Sequence, residues 1–175
     1  MKINTLLAMT SAVVLFSFAA CSDDDDNNEL NATDQNFVMN ASLSNTAEVD
    51  AGTLAAAQGS SAGVKMFGSM MVTEHGTAQT ELKNLGPTIG MTINDTIDPP
   101  HVALKQQLQT LTGRAFDSTY IINQIADHQK TLTQFDNEIS AGSHQMVRNY
   151  ADKYRPHIQM HLHMADSIAT AMNFK

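Results

Sequence analysis

The chain has 175 residues, a formal net charge of −8 and a single cysteine. The acidic balance excludes the basic surface that nucleic-acid-binding proteins need, and one cysteine excludes an internal disulfide. A chain of this length can bury one domain-sized core.

The N-terminus has the pattern of a secretory signal. Lys2 precedes a short apolar run over Leu6–Ala20, which is shorter than the roughly 20 apolar residues that span a membrane. We therefore predict a signal peptide over residues 1–20. Phe18-Ala19-Ala20-Cys21 resembles the lipobox of bacterial lipoproteins, which implies that Cys21 becomes the acylated, palmitate-bearing N-terminus. The alternative is an ordinary cleaved signal whose cysteine is incidental.

An acidic run follows the cysteine: Ser22, Asp23, Asp24, Asp25 and Asp26. Such a run stays solvated, so residues 21–33 are predicted to form a flexible tether. The run also resembles the surface-export signal of Bacteroidota lipoproteins. That resemblance implies an outer-membrane protein attached through its lipid and displayed at the cell surface, with the periplasmic face as the alternative.

Residues 34–175 are predicted to form one helical domain. Apolar and small residues recur at spacings of three and four from Phe37 to Ala55, with Thr33 or Asp34 as the cap. Gly59-Ser60-Ser61 ends this helix, and a second pattern runs from Val64 to Leu85.

The second half repeats this organisation after a polar loop. A short extra helix is predicted over His101–Leu111, a third long helix from Asp117 or Ser118 to Ile139, and a fourth over Val147–Met172. Pro156 is expected to kink or break the fourth helix near Arg155. Two hairpins, turning at residues 59–61 and 142–143, predict an all-α, antiparallel four-helix bundle.

Each long helix places one polar residue among its inward-facing apolar residues. These are Glu48, His75, His128 and His161, and two further candidates, Glu74 and His157, lie close to their level. Carboxylate and imidazole from four helices favour a transition-metal site in the core of a bundle. The alternative is a satisfied polar layer that sets the helix register and binds nothing.

The chain resembles the DUF4142 family of envelope proteins, which is placed in the ferritin-like superfamily. The resemblance rests on motifs in order: Asp34-Gln35-Asn36-Phe37, Ala47-Glu48-Val49, Val64-Lys65-Met66-Phe67-Gly68, Met71-Val72-Thr73-Glu74-His75, Phe116-Asp117, Asp127-His128 and His161-Leu162. Glu74 and Arg155 depart from the usual Asp and Leu. The resemblance implies a ferritin-like bundle and no established activity. The Glu-x-x-His pairs of di-iron ferritins are missing, which argues against di-iron chemistry.

Methionines accompany the candidate histidines: Met66, Met70, Met71, Met160 and Met164. Together with imidazole they suit copper, whereas the alternative is that they only fill an irregular core. His101, His144 and His163 are expected to be exposed.

Three functions follow from these features. The first is a non-catalytic envelope lipoprotein with a structural or stress-related role. The second is a bundle that buffers a transition metal, and the third is a metal-dependent redox enzyme. No Ser-His-Asp or Cys-His nucleophile set and no phosphate-binding glycine loop occurs in the sequence, and no protein partner is indicated.

Cys21→Ser should move the protein from the membrane to the soluble fraction, because it removes the only acylation site. Immunoblotting of fractionated cells measures this, with Ser22→Ala as the matched control that keeps the thiol. A Cys21→Ser protein that still pellets with membranes would contradict lipid anchoring.

Overall fold

The structure, a computed structural model, describes residues 29–174, and that part of the chain is helical without any strand. The helices are α1 (Ala32–Gln58), α2 (Ala62–Leu85), α3 (Pro99–Thr110), α4 (Gly113–Ala141) and α5 (Gln145–Ala171), with a short 3₁₀ helix at Gly86–Ile89. The predicted signal peptide, Cys21 and the acidic run at 22–26 lie outside the described residues. Within residues 29–174 no helix is long and apolar enough to cross a membrane.

The helices begin earlier than their sequence patterns indicate. Asn31, rather than Thr33 or Asp34, caps α1, and Asp34 completes a capping box because its carboxylate accepts from the Asn31 N–H at 2.7 Å. Helix α3 begins at Pro99 behind the cap Asp98, since proline is well tolerated in a first turn. Helix α4 begins at Gly113, so Asp117 is inside the helix rather than at its start.

The four long helices form two hairpins that pack side by side. Helix α1 packs on α2 and α4 packs on α5, while α1 also contacts α4 and α2 contacts α5. Asn31 at the start of α1 donates to the Ala141 carbonyl at the end of α4, so these helices run in opposite directions. The segment between α2 and α4 runs back along the molecule, so α4 begins at the end opposite to the one where α2 ends. Helix α3 lies in this segment and packs on α1 and α4.

Two glycines bring α1 and α2 into close contact. A Cβ atom at Gly68 would lie 2.7 Å from both the Ala55 Cβ and the Gly52 carbonyl oxygen, and one at Gly52 would lie 2.7 Å from the Gly68 carbonyl oxygen. Any side chain at Gly52 or Gly68 would push the helices apart. The two glycines therefore set the distance between α1 and α2.

A buried aspartate of α4 binds the turn between α1 and α2. Asp117 is fully buried and accepts from the Ser60 N–H at 2.8 Å, the Ser60 hydroxyl at 2.6 Å and the Ser61 N–H at 2.9 Å. The second hairpin therefore holds the turn of the first.

The opposite end of the molecule repeats this arrangement with the roles exchanged. Asp34 of α1 is fully buried and accepts from the backbone N–H groups of Ser143 at 3.2 Å and His144 at 3.1 Å, in the turn between α4 and α5. His144 is consequently buried, and the prediction that it is exposed is wrong. We call Asp34 and Asp117 the reciprocal aspartates.

Helix α5 continues through Pro156 without a break, so a break near Arg155 is wrong, whereas the kink stays a prediction. Proline removes the hydrogen bond to the carbonyl four residues earlier, which belongs to Asp152. Both Pro156 and Asp152 are exposed, so water can satisfy the freed carbonyl.

Asp117→Asn should lower the free energy of unfolding by about 2–4 kcal/mol, because the amide replaces one acceptor oxygen with a donor and leaves a turn N–H unpaired. Urea unfolding measures this. Asp152→Asn, an exposed carboxylate on α5, is the matched control and should change little. Equal stability of the two variants would contradict the role given to Asp117.

Candidate metal centre

Three histidines from three helices meet inside the molecule. His75 on α2, His128 on α4 and His161 on α5 are 1–3% exposed. Their ring centroids lie 5.7 Å (His75–His128), 5.2 Å (His75–His161) and 5.4 Å (His128–His161) apart. One ring nitrogen from each lies within 4.8 Å of those of the other two. We call these residues the three-histidine centre.

The backbone geometry of the hairpins explains why His128 and His161 meet. His128 lies thirteen residues before the end of α4, and His161 lies sixteen residues after the start of α5. Side chains lean toward the N-terminus of their own helix, so His161 leans toward the turn and His128 leans away from it. This closes the offset of about 4.5 Å that a difference of three residues gives at ~1.5 Å per residue.

Each ring is hydrogen-bonded through one nitrogen to an oxygen that can only accept. His75 Nδ1 lies 3.0 Å from Asn45 Oδ1, His128 Nδ1 lies 2.8 Å from the Gln124 carbonyl oxygen, and His161 Nε2 lies 3.0 Å from Glu74 Oε2. These acceptors place the ring proton on the bonded nitrogen of each neutral ring.

The other nitrogen of each ring has no hydrogen-bond partner. His75 Nε2, His128 Nε2 and His161 Nδ1 are buried and unpaired. Since the proton is on the opposite side of each ring, these three nitrogens carry lone pairs. Buried polar atoms normally find a partner, so three unpaired lone pairs in one cluster call for an explanation.

The environment keeps the three rings neutral. Burial is the main cause that lowers the pKa of His75 well below its usual value, and the neighbouring rings of His128 and His161 add to it. Burial likewise lowers the pKa of His128 to about 4, and burial together with His128 lowers that of His161 to about 4. Neutral imidazole is the form that binds metal ions.

Glu48 lies behind His128 rather than among the unpaired nitrogens. Its Oε2 accepts from Gln124 Nε2 at 2.7 Å, and its Oε1 lies 3.7 Å from His128 Nδ1, the nitrogen on the far side of the ring. Burial raises the pKa of Glu48 to about 8. The structure therefore brings Glu48 next to the centre but not into the group of converging donor atoms.

Glu74 and His157 form the outer side of the centre on α2 and α5. Glu74 Oε2 accepts from both His161 Nε2 at 3.0 Å and His157 Nδ1 at 2.9 Å. Burial raises the pKa of Glu74, but these two hydrogen bonds outweigh it and hold the pKa below its usual value. His157 is exposed, and its hydrogen bond is to Glu74.

Two residues of the site have no counterpart among the sequence candidates. Asn45 positions His75, and Gln124 binds both His128 and Glu48. Their spacing could have identified them. Asn45 is three residues before Glu48 and Gln124 is four residues before His128, so each lies on the same helix face as a candidate residue.

The arrangement matches three imidazole ligands with their supporting partners. Metal-bound histidines usually donate their second nitrogen to a carboxylate or carbonyl oxygen, as all three do here. A tetrahedral ion with nitrogen ligands at about 2.0–2.1 Å holds them roughly 3.4 Å apart. The ring nitrogens lie within 4.8 Å of one another, so their separation shortens by at most about 1.4 Å around such an ion. A di-iron centre does not fit, since Val72, Ile125 and Ile158 stand three residues before the histidines, where its glutamates belong.

The sequence matches the family model "Domain of unknown function (DUF4142)" over residues 19–168. The chain belongs to the DUF4142 family. The resemblance that the motifs indicate is thereby confirmed. A crystal structure of a DUF305 fragment from Deinococcus radiodurans has a similar fold, with a TM-score of 0.72 and 11% identity over 82% of this chain and 99% of that one. No match was found among curated proteins.

In the presence of a chelator, His128→Leu should change the free energy of unfolding by less than about 1 kcal/mol or increase it. The substitution removes an unpaired buried nitrogen, whose burial costs roughly 1–3 kcal/mol, and the Gln124 carbonyl keeps its position in the helix ladder. Urea unfolding measures this. A loss of about 3 kcal/mol or more would instead mark His128 as part of a satisfied, stabilising polar network.

Proposed function

We propose that this chain is a transition-metal-binding protein of the bacterial envelope, in which His75, His128 and His161 hold one ion inside an antiparallel, ferritin-like four-helix bundle. Its function is to bind and buffer the ion rather than to catalyse a reaction. The observation that carries this proposal is the set of three buried ring nitrogens with lone pairs and no partners.

A purely structural polar layer accounts less well for these contacts. Such a layer gains its stability from hydrogen bonds among its members, whereas here each ring bonds outward and keeps its free nitrogen in the cluster. The three unpaired nitrogens weaken the fold unless something binds them. A metal ion satisfies all three at once.

The donor set restricts the class of ion. Three imidazoles suit zinc, copper, nickel or iron(II), whereas magnesium and calcium require oxygen ligands. Glu48 lies behind His128 and is neutral at pH 7 because of its raised pKa. The three histidines therefore form a neutral ligand set that leaves one tetrahedral position without a histidine.

Burial favours retention of an ion over turnover of a substrate. The three rings are 1–3% exposed, and a redox enzyme would need access for its substrate to the fourth coordination position. Buffering needs only that the ion enter, bind and leave again, with no room for a substrate. This supports binding over the redox alternative that the sequence leaves open.

The envelope part of the proposal is supported by the N-terminal sequence. A signal-like segment ends at Ala20, directly before Cys21. An acidic run follows at 22–26, and the helical domain begins within a few residues of that run. Lipid on Cys21 would hold the domain at the outer membrane, facing either the cell exterior or the periplasm.

One ion per chain should bind and raise the thermal midpoint. The test uses the chain from position 21 with Cys21→Ser, which removes the only thiol, titrated with Zn²⁺, Cu²⁺ or Co²⁺. An ion at one hundred times its Kd adds about 2.7 kcal/mol, or roughly 5–10 °C for a domain of this size. Calorimetric titration and thermal unfolding measure stoichiometry and shift.

Two matched variants separate metal binding from a structural layer. His128→Leu should abolish the thermal shift, whereas His144→Asn, which replaces a buried histidine outside the centre with another capping residue, should keep it. Glu74→Gln should weaken binding about 10–100-fold, since it removes the charge that supports His161. If metal and chelator leave the midpoint of the parent protein unchanged, the histidines form a structural layer only.

A further inference from the structure

A group of thioether and imidazole side chains lies on the surface between α2 and α5. A groove of about 690 Å³ is lined by Met66 and Met70 of α2 and by Met160, Met164 and His163 of α5. We call it the methionine groove. We propose that it is a second metal site, specific for copper(I), that is separate from the three-histidine centre and does not depend on it.

Three of the four groove methionines are exposed, which argues against a packing role for them, whereas Met70 is partly buried against the core. The exposed fractions are 70% for Met66, 40% for Met160 and 37% for Met164, whereas Met71, one residue beyond Met70, is fully buried. The interpretation of the methionines as core filler is thus right for Met71 and wrong for those exposed in the groove. An exposed thioether gains little from packing.

The helical positions bring the thioethers to the same place. Met66 and Met70 are four residues apart on α2, and Met160 and Met164 are four residues apart on α5, so each pair lies one turn apart on one face. The two helices pack against each other and run in opposite directions. Methionine side chains are long and unbranched, so pairs from opposite walls can reach a common ion.

The chemistry of the groove selects a soft, singly charged ion. Thioether sulfur favours copper(I), whereas carboxylate and water oxygens favour magnesium, calcium or manganese. No carboxylate, lysine or arginine is among the groove-lining residues. Because the ligands are neutral, nothing in the lining offsets a second positive charge, which favours copper(I) over divalent ions.

The groove lies directly outside the three-histidine centre. Phe67 lines the groove, and its ring centroid is 6.5 Å from that of His128. Met160 and Met164 flank His161 on the same helix. Phe67 therefore separates a thioether site open to solvent from an imidazole site in the core.

The test measures copper(I) binding by competition with a chromophoric copper(I) chelator under anaerobic conditions. The parent is the chain from position 21 carrying Cys21→Ser. Replacing Met66, Met70, Met160 and Met164 together with leucine should remove one bound copper(I) or weaken it at least tenfold, and should remove sulfur scattering from the copper X-ray absorption spectrum. Leucine preserves apolar volume.

Controls separate this site from the inner centre and from other uses of the groove. Met39→Leu with Met146→Leu, two exposed methionines elsewhere, should leave copper(I) binding unchanged, and His128→Leu should keep the sulfur-ligated copper(I). Zn²⁺ binding should survive in the fourfold variant, which also shows that it is folded. The pairwise variants, Met66→Leu with Met70→Leu and Met160→Leu with Met164→Leu, should each weaken binding.

Unchanged copper(I) stoichiometry, affinity and sulfur scattering in the fourfold variant would overturn the proposal. So would an equal loss in the control with Met39→Leu and Met146→Leu. If sedimentation shows that the fourfold substitution dissociates a dimer while copper(I) binding stays the same, the groove is a contact between two copies of the chain instead.

Discussion

The reciprocal aspartates are the interactions on which the arrangement of the helices depends. Each is fully buried, and each binds the backbone turn of the other hairpin at opposite ends of the molecule. Helix packing alone permits two hairpins to slide along each other, because apolar contacts are non-directional. Hydrogen bonds at both ends remove that freedom. His75 belongs to one hairpin and His128 and His161 to the other, so their convergence requires this fixed register.

The three-histidine centre costs the fold stability unless something binds its three unpaired ring nitrogens. Each ring donates its N–H to an oxygen outside the cluster, which belongs to Asn45, Gln124 and Glu74 for the three rings in chain order. A core selected only for stability would have the three rings hydrogen-bonded to one another, or would have leucine in place of the histidines. Local departures from the most stable arrangement are typical of functional sites. The reciprocal aspartates and the close contact at Gly52 and Gly68 supply the rigidity that such a site needs.

Much of the fold could be predicted from the sequence because helix periodicity and glycine-containing turns are local signals. The long helices, both hairpin turns, the extra helix and the inward position of the three histidines are read from spacing alone. The burial of His144 and the role of Asp117 depend on contacts between residues far apart in the chain, so they could not be read this way. The cap of α1 is a local contact between Asn31 and Asp34, and spacing alone misses it because Thr33 and Asp34 are also good capping residues. The position of Glu48 depends on which side of the His128 ring it approaches, which spacing does not determine.

The two proposed sites differ in the way the fold exposes their ligands. Imidazole tolerates burial because its pKa falls and the neutral ring then presents a lone pair without a charge to desolvate. Thioether sulfur is neutral at every pH, so it can stay at the surface and still offer a lone pair. Phe67, fully packed between the two sites, is apolar and offers no ligand. The two proposed sites therefore offer different donor atoms at different depths: thioether sulfur at the surface and imidazole nitrogen in the core.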